Sequence, residues 1–215
     1  MLKAVIFDMD GVIVDTEPLS YKASDALLKK YGKGSYNEEF HRSVMGNSMM
    51  EEIRKIKEYF DLSDSCENIF KERNIIYKDI VNKEMKVMNG LSDLLEYLKI
   101  SGIKSAVVTG SNRDIAEFIL DKLGILSYFE FIIAGDEVEK CKPDPWAYKI
   151  AMKKLESTSD ETIILEDSIN GIKAAIAAGC KVIAVNSIWE EKGTKEILSF
   201  EEDLSNVKNI IENFK

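Results

Sequence analysis

Two aspartates separated by one residue follow the first apolar run of the chain. Residues 3–7 read KAVIF, and Asp8 and Asp10 come directly after them. A carboxylate can attack phosphorus to form an aspartyl phosphate, and a second carboxylate two positions away can move the proton that the reaction requires. The pair therefore indicates phosphoryl-transfer chemistry. The alternative is that the two aspartates only begin a turn, as aspartate often does.

Other polar residues follow later apolar runs in the same way. They are Thr109, Gly110 and Ser111 after residues 104–108, Lys142 in a loop after residues 130–134, and Glu166 and Asp167 after residues 162–165. Ligands of open parallel sheets lie outside the carboxyl ends of the strands, so we expect these groups to converge at one edge. Carboxylates gathered there would repel one another without a cation, and an all-oxygen site is typical of Mg²⁺. Alternatively, Glu166 and Asp167 are helix N-terminal charges.

Thr109 and Lys142 supply two further parts of a phosphoryl site. A hydroxyl, backbone N–H groups and a fixed cation can hold the oxygens of a transferring group. The chain has no GxxxxGK[ST] segment, which excludes a Walker-type nucleotide triphosphatase. The alternatives are a plain strand-to-helix loop capped by Ser111 or Asn112, and a solvated loop lysine at position 142.

The elements that must position these residues alternate along the chain. Short runs rich in Val and Ile are typical of strands buried on both faces of a parallel sheet, and they occur at residues 3–7, 104–108, 130–134, 162–165 and 181–185. Helical patterns lie at residues 91–100, 112–123, 145–155 and 169–178. This order predicts an α/β fold with a doubly wound parallel sheet.

Residues 16–87 interrupt that alternation, because they contain helical patterns and no strand-like run. Helices are predicted at residues 18–32, at residues 49–60 after a capping box of Ser48 and Glu51, and at residues 64–85. We therefore predict a core domain of residues 1–15 and 88–215 with an inserted helical domain of residues 16–87. The chain passes between the two domains at two crossings, near Val14 and near Met88. These two crossings would form a hinge.

The composition excludes several classes of protein. With 29 Lys and Arg against 38 Asp and Glu, the formal net charge of −9 argues against nucleic-acid binding. No apolar stretch approaches the roughly 20 residues of a membrane-spanning helix, and Asp8 and Asp10 interrupt the apolar start that a signal peptide would need. We therefore expect a cytoplasmic protein that binds neither nucleic acid nor membrane.

The histidine and the cysteines of the chain do not indicate a metal or redox site. His41 is the single histidine, which excludes a histidine-rich metal site, and we expect it to be a structural helix residue. The three cysteines, Cys66, Cys141 and Cys180, are far apart and form no CxxC pair. We expect reduced, structural thiols, with a somewhat reactive Cys141 as the alternative.

Four segments together resemble the haloacid dehalogenase superfamily, in its branch of β-phosphoglucomutase-like phosphatases with a helical cap. They are FDMDGVIVDTEP, VVTGSN, CKPDP and ILEDSINGIKAAIAAG. The resemblance implies that Asp8 is the nucleophile and Asp10 the general acid and base, while Thr109 and Lys142 bind the phosphoryl group. The fold it implies is a Rossmann-like core with a cap inserted after the first motif.

The resemblance also implies the ligands of a Mg²⁺ ion. These are Asp8, the backbone carbonyl of Asp10, and Asp167, with Glu166 assisting. It adds Gly11, Gly110 and Ser111 to the phosphate-binding set, and Gly11 would let the chain turn sharply after the two aspartates.

The inserted domain, as a cap, would close over the site and choose the substrate. Where β-phosphoglucomutases carry a cap histidine and arginine, this sequence has Ser20 and Met49. Arg73 lies near the position of a mutase lysine, and it either contacts a second phosphate or sugar hydroxyl or faces solvent.

We therefore predict a monomeric Mg²⁺-dependent phosphatase of small phosphorylated metabolites, most of all sugar phosphates. The alternatives are a β-phosphoglucomutase, a dehalogenase, which would need no Asp10, and a non-catalytic phosphosugar sensor.

Overall fold

The computed structural model describes residues 1–44, 49–187, 189 and 193–214. Within them the chain forms two compact units. One contains Met1–Asp15 and Val87–Lys215, and the other is Thr16–Lys86. Ser48, which the sequence predicts as part of a capping box, lies outside the described residues.

The first unit is built on a parallel six-stranded sheet. Its strands are β1 (Ala4–Phe7), β2 (Lys104–Val108), β3 (Ile132–Ile133), β4 (Thr162–Glu166), β5 (Lys181–Val185) and β6 (Ile197–Glu201). The order across the sheet is β3-β2-β1-β4-β5-β6. Strands β1 and β4 are buried along their whole length, because helices cover both faces of the central sheet. The predicted α/β fold with a parallel sheet is confirmed.

Five helices belong to the same unit among the described residues. They are α5 (Leu91–Ile100), α6 (Arg113–Lys122), α7 (Trp146–Leu155), α8 (Ile169–Ala177) and α9 (Val207–Glu212). The first four begin and end within one residue of their predicted bounds. Their apolar stripes pack on the sheet, where Ile6, Val108, Tyr148, Ile164 and Ile172 belong to one buried cluster.

Strand β6 and helix α9 were not predicted from the sequence. Strand β6 lies at the sheet edge, and its residues alternate between partly buried and exposed. A search for continuous apolar runs misses such a strand, because only strands inside the sheet need apolar residues on both faces. Helix α9 has six residues, which is too short to give a clear helical period.

The two crossings between the units lie side by side. Val14 forms an antiparallel bridge with Val87, and the N–H of Met88 donates to the carbonyl of Ile13 at 3.0 Å. Hinge motion at this point stays a prediction.

The second unit is helical. Its helices are α1 (Glu17–Lys30), α2 (Glu38–Val44), α3 (Met49–Tyr59) and α4 (Cys66–Glu84). Leu27, Tyr36, Phe40, Ile53 and Ile69 share its buried apolar cluster. Helix α2 was given no bounds from the sequence, although His41, which lies on it, was expected to be a helix residue. It has seven residues, and the side chain of Asn37 accepts the N–H of Phe40 at 2.8 Å at its start.

Candidate active site

The sheet order brings the polar segments of the sequence to one edge. Strand β1 lies between β2 and β4, so the residues that follow these three strands are neighbours. Asp8 and Asp10 follow β1, Thr109 follows β2, and Asp167 follows β4, whose last residue is Glu166. Because the strands are parallel, all of these side chains stand at their carboxyl ends.

Lys142 reaches this edge from the loop after β3. Its Nζ donates to Oδ1 of Asp8 at 2.5 Å, to Oε1 of Glu166 at 2.6 Å and to the carbonyl of Val108 at 3.0 Å. The three donors of the ammonium group are thus all engaged. A solvated loop lysine, the alternative drawn from the sequence, is wrong.

Glu166 is fully buried, and both of its carboxylate oxygens accept hydrogen bonds. Oε1 accepts from Lys142 and, at 2.6 Å, from the hydroxyl of Tyr148. Oε2 accepts from the backbone N–H groups of Asp167 at 3.1 Å and Ser168 at 3.2 Å, and from Oγ of Ser168 at 3.1 Å. These contacts favour a supporting role in which Glu166 fixes Lys142 and the segment that carries Asp167.

Tyr148 is a residue of this site that the sequence did not reveal. It lies on α7, fully buried, and Nζ of Lys142 stands 5.2 Å from the centre of its ring. Burial, together with the neighbouring Glu166 carboxylate, raises the pKa of its hydroxyl well above the ordinary value, so the group stays a donor. A tyrosine in an apolar helical pattern looks like any core tyrosine until the fold places Glu166 beside it.

Asp10 is held by the loop after β2. Oγ1 of Thr109 and Oγ of Ser111 each donate to Oδ2 of Asp10 at 2.9 Å, and the N–H of Ser111 donates to Oγ1 of Thr109 at 2.9 Å. Asn112 occupies the N-cap position of α6, but its side chain makes no capping hydrogen bond. The hydroxyl of Ser111 is therefore directed to Asp10 and not to the helix. Gly110 is exposed in the same loop, and its phosphate-binding role stays a prediction.

Gly11 allows the close approach of two site segments. Its φ is +76°, a left-handed conformation that glycine adopts without strain, and its N–H donates to the carbonyl of Val14 at 2.8 Å. A Cβ on Gly11 would lie 2.1 Å from Oδ2 of Asp167. A larger residue at this position would displace the Asp167 carboxylate.

The carboxylates fit a hard divalent cation. Oxygens of Asp8, Glu166 and Asp167 lie within 4.8 Å of one another. Burial raises the pKa of Asp8 well above its ordinary value; Lys142 opposes this, while Glu166 and Asp167 reinforce it. Burial and Glu166 likewise raise the pKa of Asp167 to about 8. Three carboxylates thus face the ammonium group of Lys142 in this cluster, and a bound cation would offset the excess of negative charge.

Lys142 keeps its charge in this setting. Burial alone would lower its pKa, but the carboxylates of Asp8 and Glu166 outweigh burial and raise the pKa well above its ordinary value. The site therefore has a permanent positive charge beside Asp8.

Arg73 belongs to the helical unit and is almost completely buried there, at 1% exposure. Its Nε donates to Oγ of Ser24 at 3.1 Å, and its Nη2 donates to Oγ of Ser20 at 2.6 Å and lies 3.8 Å from Oε1 of Glu52. The alternative of a solvent-facing arginine is wrong. Its predicted substrate contact stays untested, although these partners favour a role in holding α1, α3 and α4 together.

The structure also describes the histidine and the three cysteines noted in the sequence. His41 is on α2, where Nε2 lies 2.5 Å from Oε1 of Glu17. The three cysteines are free thiols, of which Cys180 is buried and Cys141 exposed. No helix in the described part of the chain is long and apolar enough to cross a membrane.

Comparison with known proteins shows the family to which the chain belongs. Residues 5–185 match the family described as haloacid dehalogenase-like hydrolase. A phosphorylated carbohydrates phosphatase of Thermotoga maritima is 33% identical over 217 residues, covering 98% of this chain and 100% of the relative.

Solved structures match along the whole chain. A putative β-phosphoglucomutase from Thermotoga maritima is 30% identical with a TM-score of 0.81, and the match covers 100% of both chains. A β-phosphoglucomutase from Clostridium difficile is 27% identical, also with a TM-score of 0.81, and the match covers 100% of this chain and 97% of the other.

Proposed function

The chain belongs to the haloacid dehalogenase-like hydrolases, and from this membership we propose that it is a Mg²⁺-dependent phosphatase of small phosphorylated metabolites, foremost sugar phosphates. The observation that carries the proposal is the placement of Asp8 against Lys142, with Asp10 oriented by Thr109 and Ser111 at the same sheet edge. One carboxylate is placed beside a fixed cation, and the second is held by two hydroxyls.

In the first step, a carboxylate oxygen of Asp8 forms a bond to phosphorus as the bond from phosphorus to the leaving oxygen breaks. Asp10 gives its proton to that leaving oxygen, and the product is an alcohol and an aspartyl phosphate at Asp8. Lys142 and the loop of Thr109 stabilise the charge on the phosphoryl oxygens.

In the second step, Asp10 takes a proton from water as the water oxygen bonds to phosphorus. The bond between phosphorus and Asp8 breaks, which releases inorganic phosphate and restores the carboxylate. The two hydroxyls on Oδ2 keep Asp10 in one orientation through both proton transfers.

Asp8, the backbone carbonyl of Asp10 and Asp167 would hold Mg²⁺, with Glu166 supporting them. When bound, the ion would offset the negative charge of the phosphoryl group. Carboxylate oxygens of Asp8, Glu166 and Asp167 lie within 4.8 Å of one another, and this closeness supports the assignment.

The substrate class rests on the Thermotoga maritima relative, which is named for phosphorylated carbohydrates. We assign substrate choice to the helical unit, Thr16–Lys86, acting as a cap. A cytoplasmic location and a monomeric state remain predictions from the sequence.

A screen of phosphorylated metabolites tests the proposal. Purified protein with Mg²⁺ is incubated with sugar phosphates, phosphoglycolate and nucleotides, and inorganic phosphate is measured. We expect phosphate release from sugar phosphates, abolished by EDTA. Absence of release from every compound would overturn the proposal.

A β-phosphoglucomutase is the second candidate, because two of the similar structures carry that name. It would use the same phosphoenzyme and return the phosphoryl group to the sugar. Ser20 and Met49, in place of the cap histidine and arginine, argue against it, and the guanidinium of Arg73 is already bonded to Ser20 and Ser24.

A further inference from the structure

The loop after β3 packs backbone to backbone against the loop after β2. The N–H of Gly135 donates to the carbonyl of Ser111 at 2.8 Å. A Cβ on Gly135 would lie 2.2 Å from the carbonyl oxygen of Gly110, so only glycine permits this approach. The loop that carries Thr109 and Ser111 is thus supported from one side by residues 134–137.

Arg113 joins the same two loops through its side chain. Its Nε donates to Oε1 of Glu137 at 2.8 Å, and its Nη2 donates to Oε2 of Glu137 at 2.5 Å and to the carbonyl of Ile132 at 2.8 Å. The backbone N–H of Arg113 donates to Oδ1 of Asp136 at 2.9 Å. The planar guanidinium thus donates two parallel hydrogen bonds to the two oxygens of Glu137, and the single ammonium group of a lysine could not form both.

Glu137 is bonded within its own loop as well. Its Oε2 also accepts the backbone N–H of Ala134 at 3.1 Å. The hydrogen bond from Arg113 lowers the pKa of Glu137, and the same bond raises the pKa of Arg113, so both groups stay charged. One carboxylate therefore fixes the turn after β3 and the first residue of α6 together.

The Arg113–Glu137 ion pair connects two segments that are distant in the sequence, unlike an ion pair within one helix. Arg113 also lies 3.6 Å from Glu117, but that pair joins positions i and i+4 of one helix. The contact with Glu137 joins the loop after β3 to the end of the loop after β2. Arg113, where α6 begins, lies only two residues after Ser111. The hydroxyls of that loop, from Thr109 and Ser111, are the two donors to Oδ2 of Asp10.

We propose that Arg113 and Glu137 are positioning residues for catalysis, which hold the loop 109–111 so that both of its hydroxyls reach Asp10. The inference rests on the proposed function, because it assigns these residues a purpose in the proton transfers of Asp10. It predicts a loss in the chemical step and little change in substrate binding or stability.

The kinetic test uses p-nitrophenyl phosphate with Mg²⁺. We expect Arg113→Ala and Glu137→Gln to lower kcat about tenfold with KM changed less than about twofold. Arg113→Lys should recover only part of the loss. Glu117→Gln is the matched control, since it removes a carboxylate that lies near Arg113 on α6 and belongs to neither loop, and its kcat should equal that of the wild type.

A double variant shows whether Arg113 acts through the loop. If it does, Ser111→Ala combined with Arg113→Ala should lose less activity than the product of the two single losses. An unchanged kcat in Arg113→Ala, an equal loss in Glu117→Gln, or fully multiplicative losses in the double variant would each overturn the proposal.

Hydrogen exchange separates this inference from the proposed function. Backbone amides of Ser111 and Gly135 should exchange about tenfold faster in Arg113→Ala than in Glu117→Gln, because the loops open more often. If the wild type hydrolyses no phosphoester, the proposed function fails and exchange alone decides the positioning role. Equal exchange in the two variants would refute that role even in an active enzyme.

Discussion

Nζ of Lys142 lies 2.5 Å from Oδ1 of Asp8, and the two side chains are only 14% and 6% exposed. The same Nζ lies 2.6 Å from Oε1 of Glu166, so one ammonium group stands between two buried carboxylates. Its removal would leave their negative charges facing each other without compensation.

Lys142→Met should therefore abolish turnover and destabilise the metal-free protein. Breaking a buried ion pair from one side costs about 3–5 kcal/mol, whereas an exposed pair contributes about 0–1 kcal/mol. Lys140→Met is the matched control, because Lys140 is exposed and lies 3.6 Å from Asp144. Urea unfolding in EDTA and a phosphate-release assay measure both effects, and equal stability of the two variants would contradict the prediction.

Asp8→Asn should give a folded protein that does not turn over, because a neutral amide is a poor nucleophile. Circular dichroism checks the fold, and phosphate release checks activity. A residual rate within about tenfold of the wild type, which is about 1.4 kcal/mol in the barrier, would remove Asp8 from the nucleophile role.

Mg²⁺ should raise the melting temperature of the metal-stripped protein, because the ion binds only the folded cluster and relieves its repulsion. Asp167→Asn should lose most of this rise, while Asp93→Asn on the exposed side of α5 should keep it. Thermal melts with Mg²⁺ and with EDTA give the comparison. An unaltered Mg²⁺ response in Asp167→Asn would mean that the metal binds elsewhere.

Cys180 should resist alkylation in the folded protein. Burial raises the pKa of its thiol to about 12, so at pH 8 the reactive thiolate is scarce, and the group is also shielded from solvent. Iodoacetamide labelling followed by peptide mass spectrometry should find modification at the exposed Cys141 before Cys180, and Cys141→Ser should remove the early label. Early labelling of Cys180 would contradict the buried placement.

β-Glucose 1-phosphate should be hydrolysed no better than other sugar phosphates. The enzyme is incubated with Mg²⁺, this substrate and a trace of the 1,6-bisphosphate, and glucose 6-phosphate and free phosphate are followed together. Phosphate release should match or exceed isomerisation. Much faster formation of glucose 6-phosphate would replace the phosphatase with the mutase.

The sequence by itself determined the buried strands and the segments of the site. Strands such as β1 and β4 must be apolar on both faces, and that requirement is visible as a run of Val and Ile. Parallel strands then place Asp8, Asp10, Thr109 and Asp167 at one edge without any knowledge of distances. Strand β6 was not predicted, because an edge strand does not need a continuous run of apolar residues.

Only the tertiary structure decided what each polar side chain contacts. From the sequence, Ser111 was either a helix cap or a phosphate-binding residue, and Arg73 either contacted substrate or faced solvent. In the structure the hydroxyl of Ser111 donates to Asp10, and Arg73 is buried. Tyr148 and the Arg113–Glu137 pair gave no signal at all, because their partners lie 18 and 24 positions away in the chain. Local patterns record burial and backbone propensity, whereas a hydrogen bond between distant segments depends on how the packed strands and loops bring two atoms within about 3 Å.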